Sequence, residues 1–272
     1  MRSIAVMNQK GGVGKTTSAV NLSAALAEAG QRVCLIDLDP QAHASLHLGV
    51  TVSDGQPSVY EVLTGDQLFK DVRQQIAENL WLVPAHLDLA AAEVELAGEV
   101  GREVILRDKL AQDDAAFDYV LIDCPPSLGV LTLNALTMVR EVFLPLQPHF
   151  LALHGLSKLL RTIEIVSQRL NRDLKLTGVL LCMYDANTRL ASEVSADVVS
   201  FFQNQRAASG IAASARTFTT HIRRNVRLAE APSFGQSILQ YAPNSPGAED
   251  YRNLTREVLA TAASVPARSR AA

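Results

Sequence analysis

Short apolar runs alternate with helix-length segments along most of the chain. The runs are rich in β-branched residues and leucine, and they cover residues 4–7, 33–37, 80–83, 119–123, 142–146, 179–182 and 238–240. Uninterrupted apolar runs of this length are typical of strands that are buried on both faces of a sheet. Between the first two runs, residues 16–29 are rich in Ala, Leu and Ser and are followed by Gly30, which predicts a helix with a glycine stop.

This alternation predicts the fold class. Strand, loop, helix and second strand follow one another repeatedly, which favours an α/β fold with a doubly wound, mostly parallel sheet flanked by helices. In such sheets a ligand binds at the carboxyl ends of the strands. With 272 residues and 48% apolar composition, we expect a single domain over residues 1–258. Residues 259–272 are mostly small and carry Arg268 and Arg270, and we expect a flexible tail there.

Charge and cysteine usage narrow the possibilities. The net charge of −3 and the pI near 6.1 argue against attraction of nucleic acid to the whole surface, so any DNA contact needs a local basic patch. Cys34, Cys124 and Cys182 lie in apolar runs without C-x-x-C spacing, as expected of buried thiols in a reducing compartment. The sequence shows no export signal and no apolar run of the ~18 residues that a membrane span needs. We therefore expect a cytoplasmic protein.

A glycine-rich loop follows the first predicted strand. Its glycines would let backbone N–H groups turn inward around phosphate oxygens, and the N-terminus of the next helix adds partial positive charge. Lys15 would reach the β- and γ-phosphates, and the Thr16 hydroxyl would bind Mg²⁺. The generic pattern G-x-x-x-x-G-K-[ST] fails at its first glycine, where this chain has Gln9. The residues expected around the nucleotide phosphates are Lys10, Gly11, Gly12, Val13, Gly14, Lys15, Thr16 and Thr17.

Three aspartates stand at the ends of predicted strands. Asp37 and Asp39 close the second run, and the alternation of a strand sends them to the same side. Asp123 closes the run at 119–123 and is expected to bind Mg²⁺ through water. In such a site, one carboxylate helps to hold the metal while another orients the water that attacks the γ-phosphate.

The glycine loop resembles a known motif. The string from Lys10 to Thr16, KGGVGKT, is similar to the deviant Walker A motif of the ParA/MinD family of ATPases. The resemblance implies that Lys10 reaches across a nucleotide-sandwich dimer to the partner's phosphates. A second cation beside the loop is useful where two bound nucleotides face each other across an interface.

The acidic segments resemble the same family. The string from Asp37 to Gln41 is similar to its switch I, which implies that Asp39 is needed for hydrolysis and that Asp37 supports the metal region. The segment from Asp123 to Ser127 resembles its Walker B strand and switch II, a segment whose position reports on the γ-phosphate.

The similarity to Soj-type ParA proteins covers about residues 1–258. It continues through the segments 58–63, 82–85, 101–103, 146–148, 224–235 and 241–248. By the same resemblance, Met183 and Pro243 lie near the adenine ring.

Positive charge is concentrated in residues 198–229. This stretch has no acidic residue and contains Arg206, Arg216, His221, Arg223, Arg224 and Arg227. The segregation suits sequence-independent phosphate contacts, with an ordinary solvated face as the alternative. In ParA relatives, arginines that match Arg224 and Arg227 contact DNA. Another family arginine is replaced here by Asn187, for which Arg189 is the candidate substitute, and His154 stands where relatives usually carry Glu and is given no role.

The resemblance implies a switch ATPase with ATP and Mg²⁺ as cofactors. Two subunits would sandwich ATP as a homodimer, and the dimer would bind double-stranded DNA nonspecifically and so associate with the nucleoid. A ParB-like partner would stimulate hydrolysis, which would drive segregation or positioning of a chromosome, plasmid or other cargo.

Two alternatives share the nucleotide site. One is a MinD-like ATPase that works on a membrane surface, although residues 259–272 lack the bulky apolar face of a lipid-binding helix. The other is a metabolic P-loop enzyme, which would need a substrate pocket or cluster-binding cysteines.

Overall fold

The computed structural model describes residues 1–113, 115–149, 152–153, 155–207 and 210–263, with the backbone alone at 206–207 and 262–263. Its strands are β1 (Arg2–Val6), β2 (Val33–Asp37), β3 (Gln74–Ala77), β4 (Leu80–Val83), β5 (Tyr119–Asp123), β6 (Glu141–Leu146), β7 (Lys175–Tyr184), β8 (Arg216–Thr217) and β9 (Ile222–Arg223). Its α-helices are α1 (Lys15–Glu28), α2 (His43–His47), α3 (Val59–Thr64), α4 (Phe69–Val72), α5 (Leu89–Glu95), α6 (Ile105–Leu110), α7 (Val130–Met138), α8 (Leu156–Arg169), α9 (Arg189–Ala207), α10 (Val226–Glu230), α11 (Ile238–Tyr241) and α12 (Pro246–Ala263). Short 3₁₀ helices cover Leu96–Gly98, Ile211–Ser214 and Ala231–Phe234.

The strands form one sheet in the order β3-β4-β2-β5-β1-β6-β7-β8, with β9 against β7. The neighbours pair in parallel except β3 and β4, which are antiparallel. The predicted doubly wound, mostly parallel fold class is therefore confirmed. In the register of this sheet, Asp123 at the end of β5 lies opposite Asp37 on one side and Val6 on the other. The carboxyl ends of β1, β2 and β5 thus meet at one edge, where the glycine loop begins.

Helices cover both faces of the sheet. On one face, Leu136 of α7 and Ile163 of α8 are fully buried against the strands. On the other, Leu26 of α1 and Leu254 of α12 are equally buried. Burial of such a side chain contributes about 1.5–3 kcal/mol. Because helices cover both faces of the sheet, the apolar runs in its strands are continuous and not alternating.

One predicted strand was wrong. Residues 238–240 belong to α11, because Ser237 and Gln240 form a capping box that starts a helical turn. A contact with α1 also stabilises this turn, because the Ile238 backbone N–H donates to Asn21 Oδ1 at 2.7 Å. The sequence did not predict β3, β8 and β9, which are short or exposed strands without a continuous apolar run.

The last helix continues past the predicted domain boundary at Val258 and is described as far as Ala263. The rest of the predicted tail, from residue 264, lies outside the described residues. Among the residues that are described, no helix combines the length and hydrophobicity that crossing a bilayer requires.

Candidate functional site

The glycine loop has the backbone conformation of a phosphate cradle. Gly12 and Gly14 have φ angles of 70° and 90°, in the left-handed region where a side chain is strained. Gly14 is also the N-cap of α1 and provides no side-chain hydrogen bond to the first turn. The N–H groups at the start of α1 are therefore not capped by that residue, which is the arrangement that binds anions at a helix N-terminus.

Lys15 lies between this loop and the acidic strand ends. Its side chain is buried, and its Nζ donates to the Lys10 carbonyl at 3.2 Å. Burial lowers the pKa of the Lys15 ammonium, whereas the carboxylates of Asp123 and Asp39 oppose this shift. The charge of Lys15 is thus held at the carboxyl edge of the sheet, where a phosphate would be its natural partner.

Asp37 is a fully buried carboxylate whose oxygens are already hydrogen-bonded. Its Oδ2 accepts from the backbone N–H of Ser45 at 2.8 Å and from the Ser45 hydroxyl at 2.7 Å. Its Oδ1 accepts from the Asp39 N–H at 3.2 Å. Burial raises the pKa of Asp37 to about 6, against the lowering effect of the Ser45 bonds. Because these donors occupy it, Asp37 is suited to supporting a metal site from behind rather than to direct coordination.

Asp123 is different, because neither of its carboxylate oxygens has a hydrogen-bond partner among the described residues. It is fully buried, and burial raises its pKa well above the ordinary value, with the Asp37 charge adding to the shift. The Thr16 hydroxyl and Lys15 act in the opposite direction, so both lie within electrostatic reach. An unpaired buried carboxylate is costly unless a cation approaches it, and this donor therefore fits Mg²⁺ or its water shell.

The protein supplies an incomplete set of metal ligands. Within the described part of the chain, no group of three or more His, Cys, Asp or Glu side chains could hold a metal ion by itself. Mg²⁺ commonly takes one or two carboxylates and completes its octahedron with phosphate oxygens and water. Asp123 and Thr16 on one side and a triphosphate on the other would satisfy that requirement.

Asp39 lies at the start of the segment between β2 and α2. It is 9% exposed, and its Oδ1 accepts from the Gln41 N–H at 3.0 Å. Asp39 acts electrostatically on Lys15, Asp37 and Asp123, so the structure brings these four predicted site residues together.

Lys10 points away from its own cradle. Its Nζ contacts His149 Nε2, in the segment after β6, and its backbone N–H donates to Asn8 Oδ1 at 3.0 Å. Asn8 is anchored in turn by its amide, which donates to the Pro145 carbonyl at 2.8 Å. The two loop lysines therefore have separate environments, Lys15 inside the site and Lys10 at its rim.

Of the two residues predicted near adenine, Met183 directly follows Cys182, whose side chain lies beside the glycine loop. Met183 has a φ of 53°, rare for a residue with a side chain, and lies at an irregularity in the pairing of β7 with β9. Its neighbour Cys182 packs beside Gly14, where an added Cβ would lie 3.4 Å from the Cys182 Cβ. Pro243 is exposed, and its carbonyl accepts from Arg252 Nη1 at 2.6 Å.

Comparison with known proteins identifies the family. A family model described as an AAA domain matches residues 1–176. The chain is 46% identical over 258 residues to the sporulation initiation inhibitor protein Soj of Bacillus subtilis, covering 94% of this chain and 98% of that protein. It is 47% identical over 260 residues to the chromosome-partitioning ATPase Soj of Thermus thermophilus, covering 96% of both. This chain belongs to the Soj/ParA family.

A solved structure extends the comparison to ligands. Cobyrinic acid a,c-diamide synthase from Mycobacterium smegmatis, crystallised with an ATP analogue and magnesium, matches this Soj/ParA chain with a TM-score of 0.82 and 39% identity. The match covers 97% of this chain and 96% of that one. A second crystal of the same protein holds ADP and magnesium. Nucleotide and Mg²⁺ binding therefore occurs on this fold, in agreement with the unpaired Asp123.

The predicted DNA-contacting arginines of this Soj/ParA chain are all on the surface. The Arg227 side chain is 55% exposed and its Nη1 donates to Glu230 Oε2 at 2.8 Å. The Arg189 side chain is 92% exposed and pairs with Glu193 at the same distance. Arg224 is exposed next to Asn225, which caps α10 through the Arg227 N–H. Exposed pairs of this kind are weak, so these arginines remain able to exchange their partner for a phosphate.

The basic stretch is nevertheless smaller than its sequence suggests. Arg223 pairs with Asp250 at 2.6 Å and with Glu249 at 2.7 Å, so it ties β9 to α12 instead of offering a free charge. The His221 ring contacts the Tyr184 ring at an angle of 41°, with ring centroids 4.3 Å apart. The side chain of Arg206 and the whole of His154 lie outside the described residues.

Sequence reasoning missed two residues of the site, Ser45 and His149. Ser45 holds Asp37, and its hydroxyl also accepts from the Ala85 N–H at 3.0 Å. The signal for His149 was its position just beyond a predicted strand, at the same edge as the glycine loop. No comparable signal marked Ser45, because only the folded chain brings α2 back to Asp37.

Proposed function

We propose that this chain is a Mg²⁺-dependent switch ATPase that forms a homodimer around bound ATP and binds double-stranded DNA nonspecifically in that state. A ParB-like partner stimulates hydrolysis, and the cycle segregates or positions a chromosome, plasmid or other cargo on the nucleoid in the cytoplasm. The observation that carries the proposal is the unpaired, fully buried carboxylate of Asp123 beside Lys15 and the glycine loop. Names of relatives support the partition role, since the Thermus thermophilus protein is a chromosome-partitioning ATPase.

The described residues divide the work at the nucleotide. When bound, ATP supplies the phosphoryl group that is transferred to water, and Mg²⁺ neutralises charge on its phosphates. Lys15 and the N–H groups of the loop grip the phosphates, and Thr16 and Asp123 hold the metal. Asp39, which is mostly buried and electrostatically coupled to Lys15, orients the attacking water. Gly11, Gly12, Val13, Gly14 and Thr17 complete the cradle.

The proposed dimer depends on Lys10. Its ammonium lies at the rim against His149 and not over the carboxylates that surround Lys15. A rim lysine can reach a phosphate that approaches from a neighbouring subunit, whereas one triphosphate already has Lys15. Hydrolysis would then require two subunits, and DNA affinity would be linked to ATP through the dimer.

Retention on duplex DNA tests the proposal directly. We expect the protein to be retained in the presence of ATP and Mg²⁺ but not with ADP or after chelation of the metal, and to sediment as a dimer under the same conditions. Retention should fall steeply with salt, because arginine contacts to phosphates release counterions. Equal retention with ATP and ADP would contradict the switch.

Two other functions use the same nucleotide site and give different results. A MinD-like ATPase would bind anionic vesicles with ATP in place of DNA. A metabolic enzyme is the second alternative, supported by the 39% identity to the cobyrinic acid a,c-diamide synthase structure, and its ATPase rate would rise on addition of a small-molecule acid substrate. A rate that responds to DNA and a protein partner and not to such an acid favours the partition switch.

A further inference from the structure

Two aromatic side chains form a stacked pair on the surface near the proposed DNA-contacting arginines. Phe234 and Tyr241 lie with ring centroids 4.8 Å apart and an interplanar angle of 26°. Phe234 is nevertheless 63% exposed. We call Phe234 and Tyr241 the aromatic ledge. Aromatic side chains dominate the energetics of interfaces, so an exposed ring that is stacked on a partner is a candidate contact.

The aromatic ledge is joined to Arg227 through one acceptor. The Tyr241 hydroxyl donates to Glu230 Oε2 at 2.9 Å, and Arg227 Nη1 donates to the same oxygen at 2.8 Å. Glu230 is thereby paired with a cation, so it does not leave the ledge with an uncompensated negative charge. Arg227, Tyr241 and Phe234 form a continuous strip in which a positive group is followed by an apolar face.

The exposure of Phe234 is fixed by the chain that follows it. The Gly235 N–H donates to the Pro232 carbonyl at 3.1 Å, and the Gln236 N–H donates to the Ala231 carbonyl at 3.3 Å. Ala231, at the start of this 3₁₀ turn, is fully buried. The turn therefore holds the ring outward, and Phe234 cannot reach the core without breaking these bonds.

We infer that the aromatic ledge contacts the DNA itself, with Phe234 packing on deoxyribose and base edges next to a phosphate held by Arg227. The inference rests on the proposed function. Duplex DNA is favoured as the occupant because the strip places the exposed Arg227, whose ion pair with Glu230 is a weak surface pair, beside an apolar ring. Phosphates, which attract a cation, alternate with sugars, which offer an apolar surface, along a DNA strand. The strip presents a partner for each of them.

Salt dependence separates the two kinds of contact. Each arginine bound to a phosphate contributes to the slope of log K against log salt, whereas an apolar contact adds affinity without releasing counterions. The test is to measure the affinity for duplex DNA over a range of salt concentrations, with a non-hydrolysable ATP analogue and Mg²⁺ present. Phe234→Ala should weaken binding about tenfold at every salt concentration and leave the slope unchanged. Arg227→Ala should weaken binding and reduce the slope by about 1.

Matched variants show whether the ring is the cause. Phe234→Trp should retain affinity, and Val100→Ala, at a fully exposed apolar position outside the strip, should bind like the unmodified protein. The thermal unfolding and analogue-driven dimerisation of Phe234→Ala should be unchanged, since the ring is mostly exposed.

Three results would count against these claims, and they can be told apart. If the unmodified protein does not bind duplex DNA with the analogue, the proposed function itself is wrong. If it binds and Phe234→Ala binds equally well, the aromatic ledge is not part of the DNA surface. Normal DNA binding by Phe234→Ala with loss of activation by a partner protein would overturn the inference in favour of a protein-docking surface.

Discussion

The backbone of Gly235 packs directly on the backbone of Gly49. A Cβ built on Gly235 would lie 2.8 Å from the Gly49 Cα and 3.2 Å from its nitrogen, a separation that real Cβ atoms do not tolerate without movement. Both glycines have positive φ angles, 64° and 75°. This contact joins the end of α2, which carries Ser45 and follows Asp39, to the turn that carries Phe234. The contact therefore connects the nucleotide edge of the sheet with the proposed DNA surface.

Replacing Gly235 with Ala should destabilise the fold. The left-handed backbone costs about 1–2 kcal/mol for a residue with a Cβ, and the clash with Gly49 backbone adds an overpacking cost of about 1–3 kcal/mol. We expect a total loss of about 2–5 kcal/mol in the free energy of unfolding, measured by urea denaturation. Gly98→Ala is the control, because its added Cβ meets no atom within 4 Å and its φ is not positive. Similar midpoints for the two variants would show that the contact is loose.

Removing the charge of Asp123 should separate folding from metal binding. Asp123→Asn eliminates an unpaired buried carboxylate, so the nucleotide-free protein should be unchanged or more stable by up to about 2 kcal/mol. The stabilisation that Mg²⁺ adds in the presence of ATP should disappear, since it depends on selective binding to the native state. Thermal melts with ATP, with and without Mg²⁺, measure both effects.

A surface aspartate gives the matched control for that experiment. Asp118 pairs with Arg32 in an exposed ion pair, and Asp118→Asn should keep the full Mg²⁺-dependent shift. An undiminished shift in Asp123→Asn would remove this residue from the metal site.

Asp39→Ala should block hydrolysis without blocking nucleotide binding. The side chain lies in the nucleotide site, yet Lys15 and the loop that grip the phosphates do not depend on it. We expect an ATP-bound, DNA-bound dimer that fails to release, with turnover reduced by about 10²-fold or more. Lys15→Ala should instead lose nucleotide affinity. Rapid turnover by the Asp39 variant, measured as phosphate release, would contradict the role assigned to this carboxylate.

Lys10→Ala should affect the dimer and spare the subunit's own site. Because Lys10 contacts His149 at the rim, its loss should leave ATP binding by a single subunit intact while preventing ATP-driven dimerisation and stimulated hydrolysis. Analytical ultracentrifugation and nucleotide affinity measure the two effects separately. Lys70→Ala, at an exposed helical position, controls for loss of a surface lysine. A monomer that hydrolyses ATP at full speed without Lys10 would refute the nucleotide sandwich.

The sequence predicted which residues lie at the carboxyl edge of the sheet better than it predicted the contacts of surface residues. The buried strand β5 is a continuous apolar run that ends at Asp123. The run alone therefore predicted that this aspartate lies at the carboxyl end of a strand. The role of Arg223 could not be predicted in this way, because its partners Asp250 and Glu249 come from a helix far along the chain. The same holds for α11, where a capping box and a contact with Asn21 outweighed a β-like apolar string.

The stability of the fold should depend on pH through His47. This side chain is 2% exposed, and burial lowers its pKa to about 4, against an opposing contact with the Gln236 backbone. An unfolded histidine titrates near 6.5, so between these values the unfolded state binds a proton that the native state excludes. Stability therefore falls as pH drops from about 6.5 to about 4, by on the order of 3 kcal/mol.

A difference measurement isolates this effect from the carboxylates. Asp37 and Asp123 have raised pKa values and act in the opposite direction, but they are common to the native protein and to His47→Gln, so their contribution cancels in the comparison. The free energy of unfolding of the native protein relative to His47→Gln should be lower at pH 5 than at pH 7.5. His43→Gln, at an exposed position of the same helix, controls for loss of an imidazole. A difference that stays constant across this range would mean that His47 titrates in the folded state as it does in the unfolded state, and it would contradict the lowered pKa.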